Sequence, residues 1–131
     1  MMSRNLNIFS KCILGCGLAL AVLVPTGSAH AKGFDVLYFF TGSDGAYPVA
    51  GLITDGAGNL YSTTIDGGAD GDGVVYKLAP GGTETVLYSF TGGSDGNGPF
   101  AGLIRDKNRN LYSTTIGGGA DGDGVVFKLK E

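Results

Sequence analysis

A block of about fifty residues occurs twice in this chain, and no other feature restricts its fold so tightly. Residues 34–80 are matched by residues 85–130: Leu37 recurs at Leu87, Asn59 at Asn110 and Asp70 at Asp121. The offset is 50 and becomes 51 after one inserted residue. A fixed period of this length marks a repeat architecture, in which each unit buries its apolar faces against the next.

Each copy resolves into short runs of β-branched, aromatic and aliphatic residues divided by Gly, Asp and Asn, which is strand and turn punctuation. The runs are Asp35–Thr41, Val49–Asp55, Asn59–Ile65, Val74–Ala79, Thr85–Thr91, Phe100–Asp106, Asn110–Ile116 and Val125–Lys130. No window carries a 3.6-residue period, so no helix is expected after the N-terminal leader. Consecutive apolar residues, as in Val74-Val75-Tyr76, suit strands covered on both faces. Gly51 to Tyr61, repeated as Gly102 to Tyr112, reads as a tight hairpin turning between an aspartate and an asparagine. Arg109 stands where the first copy has Gly58, so the second turn should be strained or of another type.

That hairpin fits the inner strands of a β-propeller blade. The expected fold is all-β: two propeller-like, four-stranded antiparallel blades forming an incomplete propeller. On this assignment the last blade lacks its outer strand, while the N-terminus carries a spare one, Asp35–Thr41. Two blades do not close a ring, since propellers have about four to eight. Copies could assemble by exchanging the N-terminal strand, or the chain could be a truncated remnant of a longer propeller protein. The alternative fold is an eight-stranded pseudo-symmetric β-sandwich.

Residues 1–31 read as a signal peptide: Arg4 and Lys11, an apolar run from Cys12 to Val24, and Ala29-His30-Ala31 as the cleavage site. The run is too short to span a bilayer, which needs about 20 residues, so no membrane span is expected after cleavage. Residues 32–131 form one β-repeat domain, with repeats over about 34–84 and 85–131. Both cysteines and the only histidine lie in the leader, and removing Arg4 and Lys11 takes the net charge from −3 to −5. An acidic surface argues against nucleic acid and anionic lipid as partners. The expected location is outside the cytoplasm, either secreted or in the cell envelope or periplasm.

Taken together, Phe-Thr-Gly, Asp-Gly and Pro, then Gly-Leu-x-x-Asp-x-x-Gly-Asn-Leu-Tyr, then Gly-x-Val-Phe-Lys-Leu resemble the GloVer tandem repeat, a choice-of-anchor family of bacterial exported proteins. The likeness runs over residues 34–130 in both copies. Ser62 and Ser113 stand where Gly is expected, Val74 and Val125 where Thr is expected, and the last residue is Glu131 with no anchor segment before it. The resemblance implies propeller-like repeats and a surface or secreted location. It carries no catalytic residues across.

The aspartate-rich loops are the candidate site. Loops at one end of a blade would gather Asp44, Asp66, Asp70 and Asp72, with Asp95, Asp121 and Asp123 in the next unit. Arg105, Lys107 and Arg109 would belong to the opposite rim. Asp70, Asp72, Asp121 and Asp123 are the calcium candidates, because carboxylates and loop carbonyls suit a hard cation. The Gly-Gly-Ala-Asp-Gly-Asp-Gly run nevertheless departs from both β-roll and EF-hand spacing, and Asp-Gly pairs build tight turns without any ligand. No cofactor is otherwise expected. Without histidine or cysteine the usual nucleophile–base pairs are missing, which leaves paired carboxylates as the one catalytic option. The expected role is a non-catalytic binding or structural module whose acidic Gly/Asp-rich face meets an extracellular protein or glycan. The alternative is a calcium-dependent carbohydrate-active enzyme using rim aspartates.

Overall fold

The computed structural model describes residues 33–131; the expected leader lies outside them. The unit Asp35–Glu131 contains seven strands: β1 (Ile53–Thr54), β2 (Leu60–Thr64), β3 (Val74–Leu78), β4 (Glu84–Ser89), β5 (Ile104–Arg105), β6 (Asn110–Thr114) and β7 (Val126–Lys130). They form two antiparallel meanders, in the orders β1-β2-β3-β4 and β5-β6-β7, the first completed by β4 from the start of the second repeat. The fold is all-β, with no helix among the described residues, and the two sheets are consistent with an incomplete propeller. Both the blade and the sandwich readings expected eight strands; the eighth, Asp35–Thr41, forms no ladder.

The sheet composition follows the repeat. β3 pairs with β4 through Val74↔Ser89, Val75↔Tyr88 and, past a bulge, Tyr76↔Val86, Lys77↔Thr85 and Leu78↔Glu84. β7 is the counterpart of β3 and pairs only with β6. The counterpart of β4 is the segment 35–41, which belongs to no ladder. It keeps the local form of β4 all the same. Tyr38 and Phe40 meet edge to face at 5.2 Å and Phe40 meets Tyr76 at 5.0 Å, as Tyr88, Phe90 and Phe127 do at 5.1 and 5.2 Å. The aromatic packing of the β4 region is thus repeated here without strand partners.

Alternation along β3 sends neighbouring residues into two different cores. Val75 faces the second sheet and joins Tyr61, Phe90, Leu103 and Leu111, with Ile53, Leu87, Phe127 and Leu129 at the margins. Val74, Tyr76 and Leu78 point the other way and are covered by Tyr38, Phe40 and Leu60. The doubly apolar run in the sequence is therefore a strand buried on both faces.

β1 and β5 are two residues long, where strands beginning at Val49 and Phe100 were expected. The cause is a side chain. The Ser62 hydroxyl shares its one proton between the carbonyls of Ala50 and Gly51, at 3.3 and 3.1 Å, and Ser113 does the same with Ala101 and Gly102. Those carbonyls are satisfied without a ladder, so the chain bends there.

The two hairpin turns share one geometry. Gly58 N donates to Asp55 O at 3.2 Å and Arg109 N to Asp106 O at 3.1 Å, with φ of +83° and +66°. The second turn is therefore strained and not of a different type, because a side chain in the left-handed region costs about 1–2 kcal/mol. Arg109→Gly is expected to stabilise the protein by about 1 kcal/mol, read as a rise in Tm. An unchanged or lower Tm would show that the Arg109 side chain contributes something the turn does not.

Candidate functional site

Backbone hydrogen bonds gather the four glycine-rich loops at one end of the strands. Gly68 N donates to Gly42 O, Gly98 N to Asp72 O and Gly119 N to Gly93 O, each at 2.9 Å, and Ala69 N donates to Ser89 Oγ at 2.9 Å. The expected rim therefore exists as a set of interlocked loops, but its aspartates are not equivalent. Asp95 accepts from Thr91 N at 2.9 Å, Thr91 Oγ1 at 2.6 Å and Tyr88 Oη at 3.0 Å. Asp44 accepts from the same three groups of Thr41 and Tyr38. The Tyr38 hydroxyl is pushed up to about 12, first by its hydrogen bond to Asp44. Both carboxylates are thus occupied in closing their own turns.

Asp66, Asp70, Asp121 and Asp123 are exposed, and Asp72 is half-buried. The Asp72 carboxylate lies so close to Gly92 that a Cβ there would come within 2.5 Å of Oδ2. Among the described residues, no three acidic side chains stand close enough together to hold a metal ion. As folded, the calcium candidates Asp70, Asp72, Asp121 and Asp123 are separate charges on a common rim.

The opposite rim holds a more tightly built arrangement. Asp55 Oδ1 accepts from Ala57 N and Asn59 N at 2.9 Å, and Oδ2 from Asn59 Nδ2 at 2.8 Å and Tyr61 Oη at 2.9 Å. Asp106 receives the same four bonds from Asn108, Asn110 and Tyr112 at 2.7–3.0 Å. The Asn110 side chain above all brings the Asp106 carboxyl down to about 2, and Asn59 lowers Asp55 in the same way. The Asp-x-x-x-Asn-Leu-Tyr pattern is a turn lock written in side chains.

One element of this rim has no counterpart in the other repeat. Glu131 Oε1 pairs with Lys77 Nζ at 3.0 Å and Oε2 with Arg105 Nη2 at 2.7 Å, and Oε1 also lies 2.6 Å from Tyr61 Oη. Lys77 and Arg105 flank the Tyr61 ring at 5.6 and 5.4 Å. Burial pushes the Glu131 carboxyl up, but Tyr61, Arg105 and Lys77 outweigh it and bring it down to about 2. Burial first, then the two carboxylates, raises the Tyr61 hydroxyl. This clasp joins the first sheet to the second. Sequence reasoning missed it because the partners lie 54 and 26 residues from Glu131 and the equivalent position holds Pro80.

A carboxylate whose folded pKa is depressed stabilises the fold above its unfolded value and loses that contribution as pH falls through the folded one. Thermal stability is therefore expected to hold at neutral pH and to drop between the ordinary Glu value of 4.5 and about 2. Glu131→Gln should lower Tm by roughly 5 °C at pH 7, a figure discounted for partial exposure, and should flatten the acid limb. A variant with the wild-type acid profile would remove Glu131 from the clasp.

Glu84 is a half-buried acid outside the aspartate-rich loops. Burial, then the Asp44 charge, raises its pKa, and its Oε1 is buried with no hydrogen-bond partner. It begins β4, where a lone Glu between Thr83 and Thr85 gave no sign of burial.

No helix among the described residues is long and apolar enough to cross a membrane. No curated protein matches the chain. Residues 25–131 match the Gloeobacter/Verrucomicrobia repeat over both sheets and both turn locks, and the chain belongs to that family.

Proposed function

We propose that this is an exported, non-catalytic structural or binding module that works as an assembly of copies and presents its acidic Gly/Asp loop rim to an extracellular protein or glycan. One observation carries the reading: two of the recurring aspartate pairs, Asp44 with Asp95 and Asp55 with Asp106, are occupied by the protein's own turns. The repeat motif thus serves architecture. What it leaves for a partner is the exposed set Asp66, Asp70, Asp121 and Asp123. A leader-like N-terminus supports export, and the spare N-terminal strand supports self-association.

The test is incubation with a panel of cell-surface glycans and envelope extracts, with and without calcium. Retention without turnover, lost in Asp70→Asn with Asp121→Asn while the Tm stays unchanged, is the expected result. Glycan hydrolysis abolished by that pair would establish the carbohydrate-active enzyme in its place. A calcium-induced rise in Tm that the pair removes would add the metal to the site, because a ligand bound only by the folded state raises its stability.

A further inference from the structure

The seam between the two sheets is a template for a second seam, because the residues of each side recur elsewhere on the molecule, leaving Leu52 on one face and Ile104 and Val126 on the other exposed. On the first sheet the seam is made by Ile53, Tyr61, Thr63 and Val75, with Val75 0% exposed. Their counterparts in the second sheet are Ile104, Tyr112, Thr114 and Val126, and here Ile104 is 69% and Val126 81% exposed. On the second sheet the seam is made by Leu103 and Leu111, with Leu103 3% exposed. Their counterparts are Leu52 and Leu60, and Leu52 is 55% exposed. One apolar face that has a partner inside the chain is therefore repeated without one at each end.

Two depressions mark where the missing partner belongs. A groove of about 360 Å³ runs along β7, lined by Val125 to Leu129 together with Val75, Tyr88, Phe90 and Asp95. In the first sheet the place beside β3 is filled by β4. A shallower hollow of about 260 Å³ is floored by Ile104, Tyr112, Thr114 and Val126. Its counterpart inside the chain is filled by the second repeat, with Thr63 Oγ1 donating to Pro99 O at 2.8 Å.

We infer that a second copy of this chain occupies both, docking head to tail: residues 35–39 of one copy pair with β7 of the next, and Leu52 and Leu60 cover Ile104, Tyr112 and Val126. The inference deepens the assembly part of the proposed function and rests on it. Shifting the β3–β4 ladder by the repeat offset sets the register: Phe39 beside Val125, Tyr38 beside Val126, Val36 beside Phe127 and Asp35 beside Lys128. The last pair is a charge match, where β3 and β4 have Lys77 beside Thr85. The docking strand is already shaped for the task, since Phe40 packs on Tyr76 as Phe90 packs on Phe127. Val36, Leu37 and Phe39 are exposed meanwhile, as a strand awaiting its sheet would leave them. A head-to-tail interface uses different patches on the two copies, so it closes into a ring or runs on as a filament.

Sedimentation of the purified chain across a range of concentrations tests this, with far-UV circular dichroism confirming the fold of each variant. The chain is expected to self-associate. Asp35→Lys and Lys128→Asp should each weaken association by roughly threefold to tenfold through like-charge pairing, and the double exchange should restore it. Val126→Glu should abolish association, and Lys107→Glu on the far rim should leave it intact. A chain that stays monomeric at every concentration overturns the assembly reading and this inference together. An oligomer indifferent to Val126→Glu, or one that the double exchange fails to restore, overturns the inference alone.

Discussion

Replacing Phe90 with alanine is expected to destabilise the protein by about 3–5 kcal/mol, the usual cost of removing a fully buried aromatic ring. Phe90 is 1% exposed and touches both sheets, lying among Tyr61, Val75, Leu103 and Leu111. Its loss leaves a cavity between two rigid layers that are further tied by the Glu131 clasp, so collapse around the gap is limited. Against a total stability of about 5–15 kcal/mol, the variant should unfold at markedly lower urea concentration. Phe40→Ala is the internal comparison. Its ring holds the equivalent place but is only half-buried, so its loss in the monomer should cost less than half as much. Urea denaturation of both variants at low protein concentration decides the matter, and equal losses would mean that the seam is not where the stability of the unit resides.

Gly73→Ala is the second large effect. Gly73 has φ of +95°, and a Cβ built on it would stand 2.6 Å from Ile65 O and 2.7 Å from Pro99 Cδ. The residue cannot shift freely. Its N–H donates to Gly67 O at 2.9 Å and its carbonyl accepts from Phe90 N at 3.0 Å. Left-handed backbone strain of about 1–2 kcal/mol and overlap of about 1–3 kcal/mol together predict a loss of roughly 3 kcal/mol or more. Gly56→Ala, where a Cβ meets nothing within 4 Å, should stay within about 0.5 kcal/mol of the parent. Thermal melts of the pair check it; a small effect at Gly73 would mean that the loop can relax away from Pro99.

The sequence disclosed the strands more readily than the chemistry, and the reason is range. Val74 to Leu78 and its copy read as strands because apolar residues crowd between Gly-Asp turns, and β3 and β7 form there. The bare place beside β7 was legible too, because counting the repeat leaves one outer strand short at one end and one over at the other. Short-range logic likewise anticipated the Asp55–Asn59 hairpin. It did not show that Tyr61 and Tyr112 complete those locks from six residues away. The shortening of β1 and β5 was hidden for a similar reason, since the Ser62 and Ser113 hydroxyls act on carbonyls 11 and 12 residues upstream. Nothing in a strand propensity registers that competition. The Glu131 clasp lay furthest out of reach. It depends on four chain segments converging, those of Tyr61, Lys77, Arg105 and Glu131, and repetition offered no second example.

The bare edge of β7 also bears on which partners it refuses. Val126, Lys128 and Lys130 alternate along its exposed side. Two such edges meeting in a symmetric twofold pair would bring ammonium groups face to face across the ladder, and like charges set opposite one another destabilise a strand pair. An incoming strand that carries an acid at that position meets no such repulsion. The lysines thus bias β7 away from the β7 edge of another copy and towards a dissimilar edge, which protects an otherwise sticky border from indiscriminate pairing.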